Sequence, residues 1–296
     1  MARYLDPKSD LVFKKIFGNH PELLKSFLNA ILPLPPDCII ESLVYLPSES
    51  APVIHSFKYS IVDVRCLDNH GRYFIVEMQI NWTKDFMQRM VYNAAATYVH
   101  QLKIGDDYKK LSPVYGLALI NDIFEESPDW FHHFQMVKAG DENRKLEDIQ
   151  IVLIELPKLK PTTLVEKKLA ILWLRFLKEI ENGTEKVDEA FFQVEPIKEA
   201  LQLAQESSYT SEELIEYRRS WDAVSSEKTL LRGKFEDGEA KGLSKGKAEG
   251  LAEGIAKGKA EVVLNMHRLG LPTNQISEFV KLSPKQIEII LAAQTK

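Results

Sequence analysis

Two acids, an amide and an arginine fall within one short stretch of the chain: Asp63, Glu77, Gln79 and Arg89. Asp63 interrupts the apolar run SIVDVRCL, and Glu77 and Gln79 interrupt RYFIVEMQI. Burying carboxylates with neither a cation nor a partner costs on the order of several kcal/mol. A divalent metal removes that cost. Hard cations such as magnesium prefer carboxylate oxygens and keep several waters, so Asp63 and Glu77 are the expected metal ligands, with a backbone carbonyl near Met78 as a further one. A metal held there lowers the pKa of a bound water and stabilises charge on a phosphoryl oxygen. Gln79 is expected to orient that water through its amide, and Arg89 to neutralise a non-bridging phosphate oxygen. The bland alternative is that Asp63 and Glu77 pair with Arg65, Arg72 or Arg89 on a solvated face.

The elements that must position these residues can be read outward from them. Both runs are rich in β-branched and aromatic residues and flank the turn-forming segment Asp68-Asn69-His70-Gly71. A hairpin with a three-residue loop puts Gly71 in the left-handed position. Asp68 then pairs with Arg72, and the same register sets Asp63 opposite Glu77. Opposed residues share a face and strand side chains alternate. Gln79 therefore joins both acids, while Phe74, Val76, Met78 and Ile80 face the other way into a core. Arg89 sits on the next element, a helix expected from about Lys84 to Leu102 and ended by Gly105, with Tyr92 on a neighbouring face.

Before the hairpin, Leu11, Ile16, Leu23, Leu24, Phe27, Leu28 and Ile31 recur at helical spacing, and Gly18-Asn19-His20-Pro21 splits them into two helices. Asp10 is expected as a helix cap, with a catalytic role as the alternative. CIIESLVYL (38–46) reads as a first strand, PVYGLALIND (113–122) as a buried strand, and FHHFQMV and DIQIVLIEL as two more. This is an α/β pattern with a mixed sheet. Beyond Pro161 apolar and charged residues alternate at helical spacing, with Trp173 and Phe176 as core residues. Glycines then fall every four residues from Gly238 to Gly258 in a Lys/Glu-rich tract. That tract is either a charged spacer or the seam of an antiparallel homo-oligomer, since its charge row complements itself when reversed. The tail ends in short amphipathic helices, read as a small capping or oligomerisation bundle or as a helix-turn-helix. The expected divisions are 1–160, 161–232, 233–260 and 261–296.

The chain has 296 residues, 45% of them apolar, which suffices for a real core. No run of about eighteen apolar residues occurs, as a membrane-spanning helix would need, and MARYLDPKSD lacks the apolar centre of a signal peptide. Two cysteines, Cys38 and Cys66, suggest neither a disulfide framework nor a zinc site. Cytoplasmic is the expected location. A net charge of −5 gives no global basic field, so any nucleic-acid contact must rest on a local patch.

Taken together, the residues resemble the PD-(D/E)XK nuclease superfamily, and more closely its recombination-promoting nuclease/putative transposase branch. The matching pieces are Asp10-Leu-Val-Phe13-Lys14-Lys-Ile-Phe17-Gly18, Asp63-Val, Val76-Glu77-Met-Gln79 and Arg89-Met-Val-Tyr92. Gly105-Asp-Asp-Tyr108-Lys-Lys-Leu-Ser-Pro113, Ile154-Glu155-Leu156-Pro157-Lys158 and the Gly/Lys/Glu tract extend the match. The resemblance implies a restriction-endonuclease-like α/β core, a mixed sheet flanked by helices, followed by a C-terminal helical region. It also implies metal-ligand roles for Asp63 and Glu77 in a DNA endonuclease using Mg2+ or Mn2+, linked to recombination or mobile elements. Gln79 stands where the superfamily usually has Lys, as is common in this branch, which throws more of the catalysis onto the metal and Arg89. The alternative is a weak or inactive relative acting in DNA binding or protein assembly.

Overall fold

A computed structural model describes residues 2–50, 60–160 and 168–293. The chain opens with α1 (Asp10–Phe13), continued as a π-helical turn over Lys14–Gly18, and α2 (Pro21–Ile31), which Pro21 starts as expected. Ser9, not Asp10, caps α1: its hydroxyl oxygen accepts from the Val12 N–H at 3.3 Å, and Asp10 is the acid of the first turn. Upstream, the buried Lys8 ammonium donates to the Leu177 and Ile180 carbonyls and pairs with Asp6 at 2.9 Å, which pins the segment leading into α1.

Then come β1 (Leu43–Leu46), β2 (Glu49–Ser50), β3 (Ser60–Ile61), β4 (Val64–Asp68), β5 (Tyr73–Gln79), α3 (Phe86–Val99), β6 (Val114–Ile120), β7 (Phe131–Lys138) and β8 (Asp141–Glu155). The strands form a six-stranded sheet in the order β1-β4-β5-β6-β8-β7, with β2 and β3 a separate pair. β5, β6 and β8 run parallel, while β1, β4 and β7 are antiparallel to their neighbours, so the sheet is mixed as expected. The first strand is shorter than the sequence indicates. The backbone of Cys38, Ile40 and Glu41 is taken instead by the side chains of Arg72, Asn29 and Asn69, which leaves only Leu43–Leu46 for the ladder.

Both faces of the sheet are covered. Phe74 and Val76 point into one core with Phe13, Phe17, Phe27, Trp173 and Phe176, and Met78 packs against it. In that core the Phe17 ring lies 4.9 Å from those of Phe13 and Phe27 and 5.4 Å from Trp173. Ile75 points the other way, under the Phe86, Met90 and Ala94 stripe of α3. The face carrying Glu77 is thus itself mostly dry, and its polar groups sit where the helix and sheet part. Further on, α4 (Lys168–Glu179) and α5 (Glu195–Leu203) contribute to the first core.

The long helix α6 (Ser211–Arg268) includes the whole glycine tract. Lys245–Glu249 and Lys257–Glu253 pair within it at 3.8 and 2.7 Å, one turn apart. The chain divides into compact units at Met1–Ser225 and Ser226–Lys296. In the second, Val263, Ile276, Val280 and Ile287 join the end of α6 to α7 (Thr273–Val280) and α8 (Pro284–Ala292) in a small core. The expected boundary after residue 160 abuts 161–167, outside the described residues, as does most of the connector before β3. Among the described residues no helix is long and apolar enough to cross a membrane.

Candidate active site

The β4–β5 hairpin has the register read from the sequence: Val64 pairs with Val76, Cys66 with Phe74, and Leu67 with Tyr73. Gly71 takes φ 78°, and the Asp68 N–H donates to the Arg72 carbonyl at 3.0 Å. The ladder stops one residue short of Asp63. Two residues beyond Val76, the Met78 N–H points toward the β4 side, where a continuing strand would offer the Val62 carbonyl. Instead the chain turns away, and the Val62 N–H donates to the Ser48 carbonyl at 3.1 Å. The Asp63 carboxylate fills the vacated position, accepting from the Met78 N–H at 2.7 Å. Asp63 is therefore not a ladder partner of Glu77. It is a carboxylate inserted at the open end of the hairpin, which still brings it to the same place.

That place is a cavity of about 710 Å³ lined by Asp63, Glu77, Gln79, Arg89, Tyr92 and Asn93, among others. Glu77 is only 6% exposed, whereas Asp63 is half-buried. The order of contacts follows from the crossover. A helix joining two parallel strands runs back against the first, so the later strand residue meets the earlier helix residue. Glu77 and Gln79 are ~6.6 Å apart along a strand rising ~3.3 Å per residue. Arg89 and Asn93 are ~6 Å apart along a helix rising ~1.5 Å per residue. The spacings match. Asn93 Nδ2 donates to Glu77 Oε1 at 2.7 Å, and Arg89 Nη2 donates to Gln79 Oε1 at 2.6 Å. The same Arg89 nitrogen lies 3.6 Å from Glu77 Oε2.

Gln79 was expected to hold a water; its amide has other partners. Nε2 donates to the Asn81 carbonyl and Oε1 accepts from Arg89, so Gln79 fixes the arginine. Of the arginines offered as alternative partners for the acids, Arg72 is bound to Asp68, and Arg65 lines a separate cavity with Tyr73, Thr97 and Gln101. Arg89 alone of the three stands against Glu77, and then at ion-pair rather than hydrogen-bond range.

Burial pushes the Asp63 carboxyl above the usual carboxylate range. The Met78 N–H opposes this, the charge of Asp10 adds to it, and those of Lys14 and Arg89 oppose it. Burial also pushes Glu77 up, against the Asn93 hydrogen bond and the Arg89 charge, with Asp63 adding repulsion. Asp10 at the start of α1 and Lys14 on the π-helical turn that follows, paired at 2.8 Å, thus reach this site electrostatically. Asn93, Asp85 and Gln88 line the cavity without being singled out by the sequence, and Lys14 acts on Asp63 through its charge. A lone Asn on the apolar stripe Phe86, Met90, Ala94, one turn after Arg89, was the available signal for the first.

A family model described as PD-(D/E)XK nuclease family transposase matches residues 7–233, most of the chain and all of this site. The chain belongs to that family. The restriction-endonuclease-like α/β fold follows with it, as the resemblance implied. No curated protein and no solved structure matches the chain.

The donor set of this PD-(D/E)XK chain fits a hard divalent cation. Two carboxylates that repel each other face one cavity, are held above their ordinary range, and have one arginine beside them. Among the described residues no group of three or more His, Cys, Asp or Glu side chains could share an ion. A metal here would take two carboxylates and complete its shell with carbonyl oxygen and water, as magnesium does.

Proposed function

We propose that the chain is a metal-dependent DNA endonuclease that hydrolyses phosphodiester bonds with water, working in the cytoplasm in recombination or on mobile elements. The observation that carries this reading is the convergence of Asp63 and Glu77 on one cavity with their charge under-neutralised. When bound by these two carboxylates, Mg2+ or Mn2+ would activate water and draw charge from a phosphoryl oxygen. Arg89, more than two-fifths exposed yet tethered by Gln79, is positioned to meet a phosphate oxygen entering from solvent. Gln79 sets the arginine's direction, and the Met78 N–H sets that of Asp63.

A second reading has a specific observation behind it. With Gln79 engaged by Asn81 and Arg89, no lysine stands beside the two acids at that position, which favours a slow or inactive relative that binds DNA or assembles with other proteins. Incubation with supercoiled plasmid decides between them. Conversion to nicked circles with Mg2+ or Mn2+, abolished by EDTA, is the expected result; intact plasmid under all three conditions favours the second reading.

A further inference from the structure

Asn93 is 2% exposed on a helix face otherwise packed with Phe86, Met90 and Ala94. A buried side-chain amide at an apolar position is costly unless its hydrogen bonds are made, so its presence there calls for a partner worth having. That partner is Glu77 Oε1, at 2.7 Å. The other oxygen, Oε2, is the one near Arg89, at 3.6 Å. A carboxylate on a strand can turn about its last torsion through a broad well. Anchoring Oε1 against the helix removes that freedom and leaves Oε2 on the side of Arg89, which lines the cavity together with Glu77.

We infer that Asn93 is a positioning residue for Glu77, selecting by its amide which carboxylate oxygen is presented to the cation. This rests on the reading of Asp63 and Glu77 as metal ligands. Arg89 and Asn93 then act as a two-point clasp on β5: one turn of α3 fixes Gln79 and the next fixes Glu77. The helix stripe that packs the core also sets the ligand geometry, so packing and site orientation are coupled. Groups that orient a metal ligand from behind are worth roughly 10- to 100-fold in affinity.

The test measures Mn2+ binding directly, by the loss of free-ion electron paramagnetic resonance signal, on full-length wild type, Asn93→Leu and Glu77→Ala, with melting in EDTA as a check on folding. Leucine keeps the volume and removes the donor; Asn93→Ala, which adds no bulk, repeats the comparison if leucine does not fold. The expected result is wild-type binding, an affinity at least about tenfold weaker in the folded Asn93 variant, and loss of the site in Glu77→Ala. Wild-type affinity in the Asn93 variant, with binding lost in Glu77→Ala, overturns the positioning role and leaves the metal site standing. Absence of binding in wild type, or undiminished binding in Glu77→Ala, overturns the metal site and the positioning role with it.

Discussion

The two strands of the β4–β5 hairpin bury acids at both ends and treat them in opposite ways. At the turn end, Asp68 is closed off: Oδ2 takes the Arg72 guanidinium at 2.6 and 2.8 Å, and Oδ1 takes the His70 and Arg72 N–H groups at 3.0 and 2.8 Å. At the open end, Asp63 and Glu77 each accept a hydrogen bond from a neutral donor, Arg89 stands 3.6 Å from Glu77, and the two acids line one cavity and repel each other. A buried charge satisfied from within the chain serves the fold. Acids left to repel each other at the edge of a cavity are held at a cost the fold itself does not need, and the proposed metal site rests on that cost.

The sharpest way to break this contrast is to remove the acids one end at a time. Asp63→Ala and Glu77→Ala should each reduce plasmid nicking to the level without enzyme while leaving the chain folded; full activity in either refutes the site. Asp68→Ala should strand the buried Arg72 charge and cost about 3–5 kcal/mol in urea unfolding. A loss below about 1 kcal/mol would mean that the turn end is not the self-contained ion pair described here.

Arg89→Ala should slow cleavage about a hundredfold, with a smaller effect on DNA binding, if the guanidinium meets charge that develops during reaction. Equal losses in turnover and in gel-shift affinity would make it a phosphate-positioning residue. Gln79→Lys would set a second cation against Arg89 and free it from its anchor, so this variant should lose activity, too.

The smallest effect has the opposite sign. Glu77→Gln and Asp63→Asn should stabilise the metal-free chain by about 1 kcal/mol at neutral pH, because each removes an ion that the fold disfavours. Both carboxyls hold their protons to higher pH in the folded chain than in the unfolded one. Between the ordinary carboxylate range and the raised folded values, the folded state therefore holds more protons than the unfolded one. Wild-type stability in EDTA should fall across that window, and the amide variants should flatten the fall. A wild-type stability that rises there would contradict the assigned directions.

How much of this was legible beforehand depends on the element. The hairpin register was, because Gly71 fixes the loop and a strand's period of two then fixes every pair down to Val64–Val76. The departure of the chain at Asp63 was not. It depends on the Ser48 carbonyl capturing the Val62 N–H, a contact between segments with no local sequence signature. Residues 38–42 read as strand because Cys38, Ile39 and Ile40 are apolar, but side chains of Asn29, Asn69 and Arg72, distant in sequence, claimed that backbone first. Gln79 was found by its place in Glu-x-Gln, yet its partners follow from where α3 crosses, so its work as an anchor for Arg89 was hidden. Asn93 is readable in principle, from helix period and the antiparallel run of α3, but asparagine carries no charge that would mark it.

The most direct test of the central contrast is the change in melting temperature on adding Mg2+ to metal-free protein, compared between wild type and the Asp63→Asn/Glu77→Gln double variant. A ligand that binds only the folded state stabilises it by about 2.7 kcal/mol at a hundred times its Kd. Wild type should begin as the less stable protein in EDTA and gain on Mg2+ addition, while the double variant begins higher and gains nothing. Equal gains in the two proteins, or none in wild type, would contradict the claim that the open end of the hairpin is kept strained for a cation.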